Sequence, residues 1–215
     1  MGIRERLTEI RASLPDGVEL VAVSKFHPAE VVREAYDAGQ RMFGESRVQE
    51  LTAKQPLLPS DIEWHFIGTL QTNKVRHIAP FISLIHSVDS LKLLREINLQ
   101  AARCGRRIDV LLEVHIAEEA TKYGFSVEEI RAIFAYSVLD AFPNVRVRGL
   151  MGMATFTDDV TQVRREFASL KQLYDTFSDR HLDILSMGMS DDYPLAIAEG
   201  STMVRIGTRI FGNRT

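Results

Sequence analysis

The feature that most constrains the fold is a regular alternation of short apolar runs with amphipathic helical patterns along all 215 residues. Eight runs have the length and composition of buried strands, and apolar residues at helical spacing fill the gaps between them. Strict alternation of strand and helix predicts parallel strands joined by right-handed crossovers. The predicted strands are residues 19–25, 41–44, 63–67, 81–86, 109–116, 146–151, 183–187 and 203–206.

Eight strand–helix units are the number that closes a (β/α)8 barrel, the TIM barrel of the α/β class. The length of 215 residues is near the lower end for one such barrel, about 200 residues. An open, doubly wound sheet satisfies the same alternation. Before the first strand, Ile3, Leu7 and Ile10 predict one extra N-terminal helix. Since no break in composition interrupts the pattern, we expect residues 1–215 to form a single domain.

The composition argues against several classes of partner. A formal net charge of -3 gives no general attraction to nucleic acid or to an anionic membrane surface. No apolar run approaches the ~18 residues of a membrane-spanning helix, and the charged N-terminus lacks the apolar stretch of a secretory signal. The single cysteine, Cys104, cannot form an internal disulfide, which fits a reducing compartment. These features predict a cytoplasmic protein that binds neither nucleic acid nor membrane.

Functional residues of a (β/α)8 barrel gather where the strands end, at the C-terminal mouth. The first predicted strand delivers Lys25 to this mouth directly after the apolar residues 20–23. One interpretation is a surface lysine at the start of a loop. The other is a partly desolvated amine with a lowered pKa, which is competent for Schiff-base chemistry. The position of Lys25 alone leaves both interpretations open.

The exits of the seventh and eighth strands carry small and hydroxyl residues beside predicted helix starts. Ser190 follows the seventh strand, and Gly207 and Thr208 follow the eighth. Backbone N–H groups at a helix start can bind phosphate, and the loops after these two strands are the usual phosphate site of the fold. Alternatively, Ser190 would cap a helix and Gly207 would serve a turn. The presence of such loops at both exits favours phosphate binding.

Arg205 lies inside the apolar eighth strand, where a charge is costly unless it is paired or bound to a ligand. It would pair with a carboxylate such as Asp183 or Glu199, or donate to a ring nitrogen or phosphate of a ligand. His65 is two residues from Glu63, a spacing that allows a metal site, but polar residues satisfied inside the barrel are the simpler interpretation. Since the sequence has no P-loop, His-Glu-x-x-His or paired-cysteine motif, we predict no bound metal.

A specific combination of segments runs along essentially the whole chain. In order, the segments are Ala22-Val23-Ser24-Lys25, Phe43-Gly44-Glu45, Trp64-His65-Phe66-Ile67-Gly68 with Leu70-Gln71-Thr72-Asn73-Lys74, Arg148-Gly149-Leu150-Met151, Ser186-Met187-Gly188-Met189-Ser190-Asp191-Asp192 and Gly200-Ser201-Thr202-Met203-Val204-Arg205-Ile206-Gly207-Thr208. The last two segments are the most distinctive. The combination resembles the pyridoxal phosphate homeostasis family, the YggS/PROSC group. That resemblance implies a barrel like the N-terminal domain of alanine racemase, which carries pyridoxal 5′-phosphate without an established turnover.

The resemblance also implies roles for individual residues. It implies that the cofactor is held as an imine on Lys25. It implies contacts to the phosphate from Ser190, Gly207 and Thr208. It implies that Arg205 lies near the pyridine nitrogen.

Three further positions concern the same cofactor. Ser46 is a candidate cofactor contact, although it stands where the family often has asparagine after Phe-Gly-Glu. Lys122 matches a further lysine of the family. His27 stands where some members have a second lysine, so we do not expect a relay of the cofactor through that position.

We therefore expect a carrier or buffer that sequesters pyridoxal phosphate and passes it to apo forms of the enzymes that use it. We expect it to be a monomer with no catalytic residue of its own. The rival hypothesis is an amino-acid racemase of the alanine racemase type, which adds a β-domain after the barrel and takes its second acid/base tyrosine from there. Only three residues follow Gly212, so we expect that domain to be absent. A third hypothesis, an enzyme acting on a sugar phosphate, predicts catalytic carboxylates at the exits and a colourless protein.

Overall fold

The computed structural model describes residues 2–118 and 123–212. In chain order the α-helices are α1 Ile3–Ser13, α2 Ala29–Asp37, α3 Val48–Lys54, α4 Val75–Ile78, α5 Leu91–Arg103, α6 Val127–Ala135, α7 Val160–Asp175, α8 Tyr193–Ala198 and α9 Thr208–Phe211. The strands are β1 Glu19–Val23, β2 Met42–Glu45, β3 Glu63–Phe66, β4 Leu84–Val88, β5 Ile108–Glu113, β6 Val145–Met151, β7 Ile184–Ser186 and β8 Met203–Ile206. Short 3₁₀ helices occupy Gln55–Leu57, Thr72–Lys74, Val138–Ala141 and Ser178–Arg180. Lys122 lies outside the described residues.

The eight strands pair in chain order, all parallel, and close into a barrel. Closure is made by β8 against β1, where Arg205 lies opposite Val21 and Ile206 lies opposite Ala22. Parallel neighbours require a crossover connection between them, which is why helices or short helical turns separate successive strands. The predicted (β/α)8 barrel is confirmed, and the open sheet is excluded.

The observed strands overlap all eight predicted ones, with the largest shifts at β4 and β5. The fourth strand was expected from residue 81 but begins at Leu84, because the N–H of Ile82 donates to the carbonyl of Ile78 (2.9 Å) and continues the turn of α4. The fifth strand was expected to reach residue 116 but ends at Glu113. The chain turns there and leaves only an isolated bridge between Val114 and Phe125.

The apolar residues form two layers. The larger cluster fills the space between the strands and the surrounding helices. The smaller cluster lies inside the barrel and takes residues from six strands: Val21, Leu84, Leu111, Met151, Ile184 and Met203. Successive inward positions along a strand are two residues apart. Nearer the mouth, two of these rows continue with buried polar residues, since Ser186 follows Ile184 and Arg205 follows Met203.

The extra N-terminal helix is confirmed as α1, which buries Ile3, Leu7 and Ile10. It packs outside the barrel against α2 and α9. The Arg6 guanidinium donates to the carbonyl of Ile210 in α9 (3.2 Å), so α1 braces the chain that follows β8. Within the described ranges, no helix has both the length and the apolar character needed to cross a bilayer.

Candidate functional site

The six candidate cofactor residues lie at the exits of four strands that are neighbours in the barrel. The order around this arc is β7, β8, β1 and β2, because β8 closes against β1. From one end of the arc to the other, the residues are Ser190, Arg205, Gly207, Thr208, Lys25 and Ser46. Positions up to 183 residues apart in the sequence, 25 and 208, are thus brought to one side of the mouth.

Lys25 is half-buried in the turn that follows β1. The N–H of His27 donates to the carbonyl of Ser24 (3.1 Å) and closes this turn around the lysine. The next residue, Phe26, has a φ of 68°. Residues other than glycine adopt this left-handed conformation rarely, and it carries strain when they do. The backbone that presents Lys25 is therefore held in an uncommon conformation.

Ser190 is buried, and its hydroxyl accepts a hydrogen bond from the N–H of Gly207 (3.3 Å). The loops after β7 and β8 therefore meet at the positions predicted to bind phosphate. The alternative that Ser190 caps a helix is wrong, because the N-cap of α8 is Asp192. Gly207 is the N-cap residue of α9, and Thr208 is the first residue of that helix and is exposed.

The backbone at Gly207 passes close to β1. A Cβ atom at this position would lie 3.1 Å from the carbonyl oxygen of Val23 and 3.3 Å from the Cβ of Val23. These separations are tighter than ordinary side-chain contacts allow, so glycine permits the close approach. Glycine therefore lets the exit of β8 lie directly beside the exit of β1, which leads to Lys25.

Arg205 is buried, with 4% of its surface exposed. Its guanidinium donates to the Ser186 carbonyl (3.0 Å), to the Ser186 hydroxyl and to the carbonyl of Gly152 (3.2 Å). Burial lowers the pKa of Arg205 to about 10, although Asp192 and Glu113 act in the opposite direction. The guanidinium is therefore still charged at neutral pH.

The two carboxylates considered as structural partners of Arg205 bind other arginines. Asp183 accepts hydrogen bonds from Arg148 at the start of β7. Glu199 pairs with Arg164 of α7 (3.1 Å). The interpretation of Arg205 as half of an ion pair with either is therefore wrong, since backbone carbonyls and a hydroxyl satisfy it instead.

A hydrogen-bonded chain of polar side chains runs through the barrel interior to Arg205. His65 Nδ1 lies 3.0 Å from His86 Nε2, and His86 Nδ1 lies 3.2 Å from the Ser186 hydroxyl, which also accepts from Arg205. Burial lowers the pKa of His65 to about 3, with Arg148 acting in the same direction. Burial, followed by the charges of His65 and Arg205, lowers the pKa of His86 well below its usual value. Both imidazoles are therefore neutral.

Within residues 2–118 and 123–212, no three histidine, cysteine or carboxylate side chains are placed to hold a metal ion together. The interpretation of His65 as a polar residue satisfied inside the barrel agrees with its hydrogen bond to His86.

Glu113, at the end of β5, was not recognised as a site residue from the sequence. It is buried on the same inward row as Leu111. Burial and, second, Asp89 raise the pKa of Glu113 to about 7, while Arg205 acts to lower it. A carboxyl that titrates near neutrality thus lies within electrostatic reach of Arg205. In the sequence, Glu113 is two residues after Leu111, so the two side chains point to the same face of the strand. Only closure of the barrel shows that this face is the interior.

The remaining candidates lie at the edges of this arc. Ser46 is half-buried after β2, where Gly68 is so close that a Cβ would lie 2.4 Å from the Ser46 carbonyl oxygen. His27 stacks on Phe211 of α9, with ring centroids 5.0 Å apart. Ser46 therefore shares the mouth with Lys25, whereas the His27 ring packs against α9.

The family described as "Alanine racemase, N-terminal domain" matches residues 2–215. The chain belongs to this family. The pyridoxal phosphate homeostasis protein of Aquifex aeolicus is 43% identical over 200 residues, which cover 91% of this chain and 87% of that protein. The resemblance seen in the sequence segments is thereby confirmed.

Solved structures place the chain in the same group. PipY of Synechococcus elongatus, solved with PLP bound, has a TM-score of 0.89 at 40% identity, and the match covers 98% of this chain and 100% of PipY. An alanine racemase of Clostridium difficile has a TM-score of 0.82 at 16% identity. The match covers 99% of this chain and 56% of that racemase, so the barrel corresponds to about half of the racemase. At this identity the likeness shows a shared fold alone.

Proposed function

We propose that this protein binds pyridoxal 5′-phosphate at the C-terminal mouth of the barrel and serves pyridoxal phosphate homeostasis as a carrier or buffer, with the cofactor held as an imine on Lys25. The observation that carries the proposal is the arc of strand exits β7, β8, β1 and β2. It brings an amine, a buried guanidinium and two hydroxyl-bearing loops to one side of the mouth. The names of the relatives support it.

The residues present fit the chemical groups of the cofactor. The Gly207 N–H donates to the Ser190 hydroxyl (3.3 Å), so the two loops already meet, and the hydroxyl keeps its own O–H to donate to a phosphate bound beside them. Thr208 begins the adjoining helix. When bound, pyridoxal phosphate supplies an aldehyde that condenses with amines. Lys25 is the amine that this arc offers.

Arg205 is suited to the pyridine nitrogen. A guanidinium stays protonated at neutral pH, so it donates a hydrogen bond and leaves the ring nitrogen without a proton. A neutral ring withdraws electrons less strongly than a protonated one. Since the guanidinium is fixed by Ser186 and Gly152, it cannot easily move away from this position. The arrangement favours holding the cofactor over activating it strongly.

Binding of the phosphate gives the first test. We expect Ser190→Ala and Thr208→Val each to weaken binding of pyridoxal phosphate by about 10- to 150-fold, because a hydrogen bond to a charged group contributes about 1.5–3 kcal/mol. Titration followed by absorbance measures the dissociation constants. Pyridoxal, which lacks the phosphate, should bind the wild type and both variants about equally. If the variants lose pyridoxal as strongly as the phosphate form, these loops do not hold the phosphate.

The competing function is racemisation of an amino acid, because alanine racemase shares this fold. Racemisation moves protons at both faces of the α-carbon, and one lysine serves one face. Tyr193, which follows the exit of β7, does not reach the opposite face, because it is buried with its hydroxyl 3.2 Å from that of Ser13 in α1, outside the barrel. Tyr123, which follows the exit of β5, stays a candidate for that face and is 61% exposed.

We expect the loaded protein to show no steady racemisation of free alanine. Deuterium incorporation at the α-carbon in heavy water, measured together with the loss of optical rotation, checks this. Tyr193→Phe is the matched control for Tyr123→Phe. Steady turnover that Tyr123→Phe abolishes and Tyr193→Phe leaves intact would make the protein a racemase. Slow exchange that neither change affects is the background chemistry of a bound aldehyde.

The carrier function includes two further proposals. The first is that apo forms of enzymes that use pyridoxal phosphate receive the cofactor from this protein in the cytoplasm. The second is that the protein acts as a monomer. A mouth that faces solvent on one side of a single barrel suits both, because the cofactor can leave without a change in assembly.

A further inference from the structure

Lys54, the last residue of α3, is buried with 5% of its surface exposed. Its ammonium group donates to the Ser24 carbonyl (2.9 Å), to Glu45 Oε1 (2.7 Å) and to Glu50 Oε1 (2.7 Å). Three acceptors satisfy the three N–H bonds of the ammonium. The charge is therefore fixed in one place, behind the turn that carries Lys25.

The acceptors of Lys54 reach the backbone on both sides of Lys25. Ser24, whose carbonyl binds the ammonium directly, is the residue before Lys25. Phe26 is the residue after it, and its N–H donates to Glu50 Oε1 (2.5 Å), the same oxygen that binds Lys54. One buried ammonium thus holds both flanks of the lysine.

The hold on Phe26 matters because of its backbone conformation. Its φ of 68° is unfavourable for a residue with a side chain, and such a conformation persists only where the surroundings impose it. Glu50 supplies the hydrogen bond to its N–H, and the Arg47 guanidinium lies 4.8 Å from the centre of its ring. Loss of Glu50 would remove the acceptor of the Phe26 N–H, and with it one of the contacts that hold the turn around Lys25.

Glu45 holds Lys54 from the other side. It is fully buried at the end of β2, and its Oε1 also accepts from the Ser24 hydroxyl (2.7 Å). Its Oε2 is buried with no hydrogen-bond partner among the described residues. Burial raises the pKa of Glu45, and Lys54 offsets part of this effect. A buried ion pair with an unsatisfied oxygen is a poor source of stability. A role in fixing the turn explains the arrangement better.

We propose that Lys54 is a positioning residue for Lys25, and that it acts through the Ser24 carbonyl and through Glu50 to aim the amine at the aldehyde of the cofactor. This inference rests on the proposed function. In the reaction, the amine nitrogen bonds to the aldehyde carbon, and the carbonyl oxygen leaves as water with the two amine protons. The rate of this step depends on where the nitrogen is held, since misplacement by about 1 Å can cost on the order of 100-fold.

The test compares variants that separately remove the hydrogen bond from the Phe26 N–H to Glu50 and the ammonium group that binds the Ser24 carbonyl. Glu50→Ala removes the acceptor for Phe26 and keeps the Lys54–Glu45 pair. Glu50→Gln keeps an oxygen acceptor and should recover most of the loss. Lys54→Met combined with Glu45→Gln removes the ammonium without leaving a buried carboxylate alone. Glu30→Ala, which changes an exposed carboxylate in the first turn of α2, is the matched control.

Two ligands separate positioning from general damage. Pyridoxal phosphate has the aldehyde, whereas pyridoxine 5′-phosphate carries an alcohol in its place and cannot form the imine. We expect Glu50→Ala and the Lys54/Glu45 double variant to slow imine formation, followed by absorbance after mixing, by about 10- to 100-fold. We expect each variant to bind pyridoxine 5′-phosphate within about two-fold of the wild type, because Ser190, Arg205 and Gly207 are untouched.

Three results would overturn the inference. Imine formation at the wild-type rate in both Glu50→Ala and the double variant would show that Lys25 needs no such positioning. An equal loss of affinity for pyridoxine 5′-phosphate would show that the network supports the whole mouth rather than the lysine. A wild-type protein that forms no reducible adduct at all would overturn the proposed function, and this inference with it. The first two results leave the proposed function intact.

Discussion

Lys25→Arg will abolish the covalent adduct that borohydride traps between the protein and pyridoxal phosphate. The wild type should absorb as a yellow imine, lose that absorbance on reduction, and carry the label on the peptide that contains Lys25. Arginine keeps the positive charge and a similar length but does not form a stable imine, so the expected loss is complete. Mass mapping of the reduced protein measures the site of labelling.

Lys74→Arg is the control for this experiment. Lys74 is half-buried in the 3₁₀ helix Thr72–Lys74, and it does not belong to the arc of strand exits that contains Lys25. The Lys74→Arg variant should carry the label on the peptide that contains Lys25, as the wild type does. A label mainly on Lys74 or Lys122 would refute the assignment of Lys25. A protein that stays colourless and unlabelled with added pyridoxal phosphate would favour the sugar-phosphate hypothesis.

The second large effect concerns acid stability. Burial holds the pKa of His65 at about 3, so the folded protein keeps this imidazole neutral, while the unfolded chain binds a proton below about pH 6.5. The unfolded state therefore binds more protons, and the free energy of unfolding falls as the pH falls from about 6.5 towards 3. At about 1.4 kcal/mol for each pKa unit, the full contribution of His65 is about 5 kcal/mol.

His65→Asn removes this titration while keeping a polar group near His86. Between pH 7 and pH 5 we expect the free energy of unfolding of the variant to fall by about 2 kcal/mol less than that of the wild type. Urea denaturation at pH 5, 6 and 7 measures the difference. The opposite contribution of Glu113, whose raised pKa stabilises the folded state as the pH falls through about 7, is present in both proteins.

His77→Asn is the control for the acid experiment, since His77 is an exposed residue of α4. Its pH dependence should follow that of the wild type. If His65→Asn also follows the wild type at all three pH values, the interior histidine pair does not stay neutral in the folded protein.

Most of the fold could be predicted from the sequence because it depends on local periodicity. The spacing of apolar residues along α1, α5 and α7 and the eight buried runs are short-range signals, and they predicted alternating helices and parallel strands. Closure of the barrel was not a local signal. Alternation fits an open sheet equally well, and the pairing of β8 with β1 distinguishes the two.

The candidate site was predictable only in part. Each residue of the arc was visible as a polar residue or glycine at or just before a strand exit, and the family resemblance implied their roles. The partners of Arg205 were not visible, since Asp183 and Glu199 were equally reasonable in the sequence. In the structure both carboxylates form salt bridges with other arginines, and Arg205 donates hydrogen bonds to Ser186 and Gly152. Side-chain pairing depends on three-dimensional distance, which sequence spacing does not encode.

The sequence by itself determined the class of fold, the exits at which polar side chains emerge, and the family, because these follow from periodicity and from contiguous segments. The tertiary structure alone decided how the exits combine. Closure makes β7, β8, β1 and β2 one arc, and it brings Lys54 of α3 behind Lys25 of the β1 exit. The physical reason is that a hydrogen bond joins two groups about 3 Å apart and packing requires contact at about 4 Å. Two residues in contact can be far apart in the sequence, and only folding brings them together.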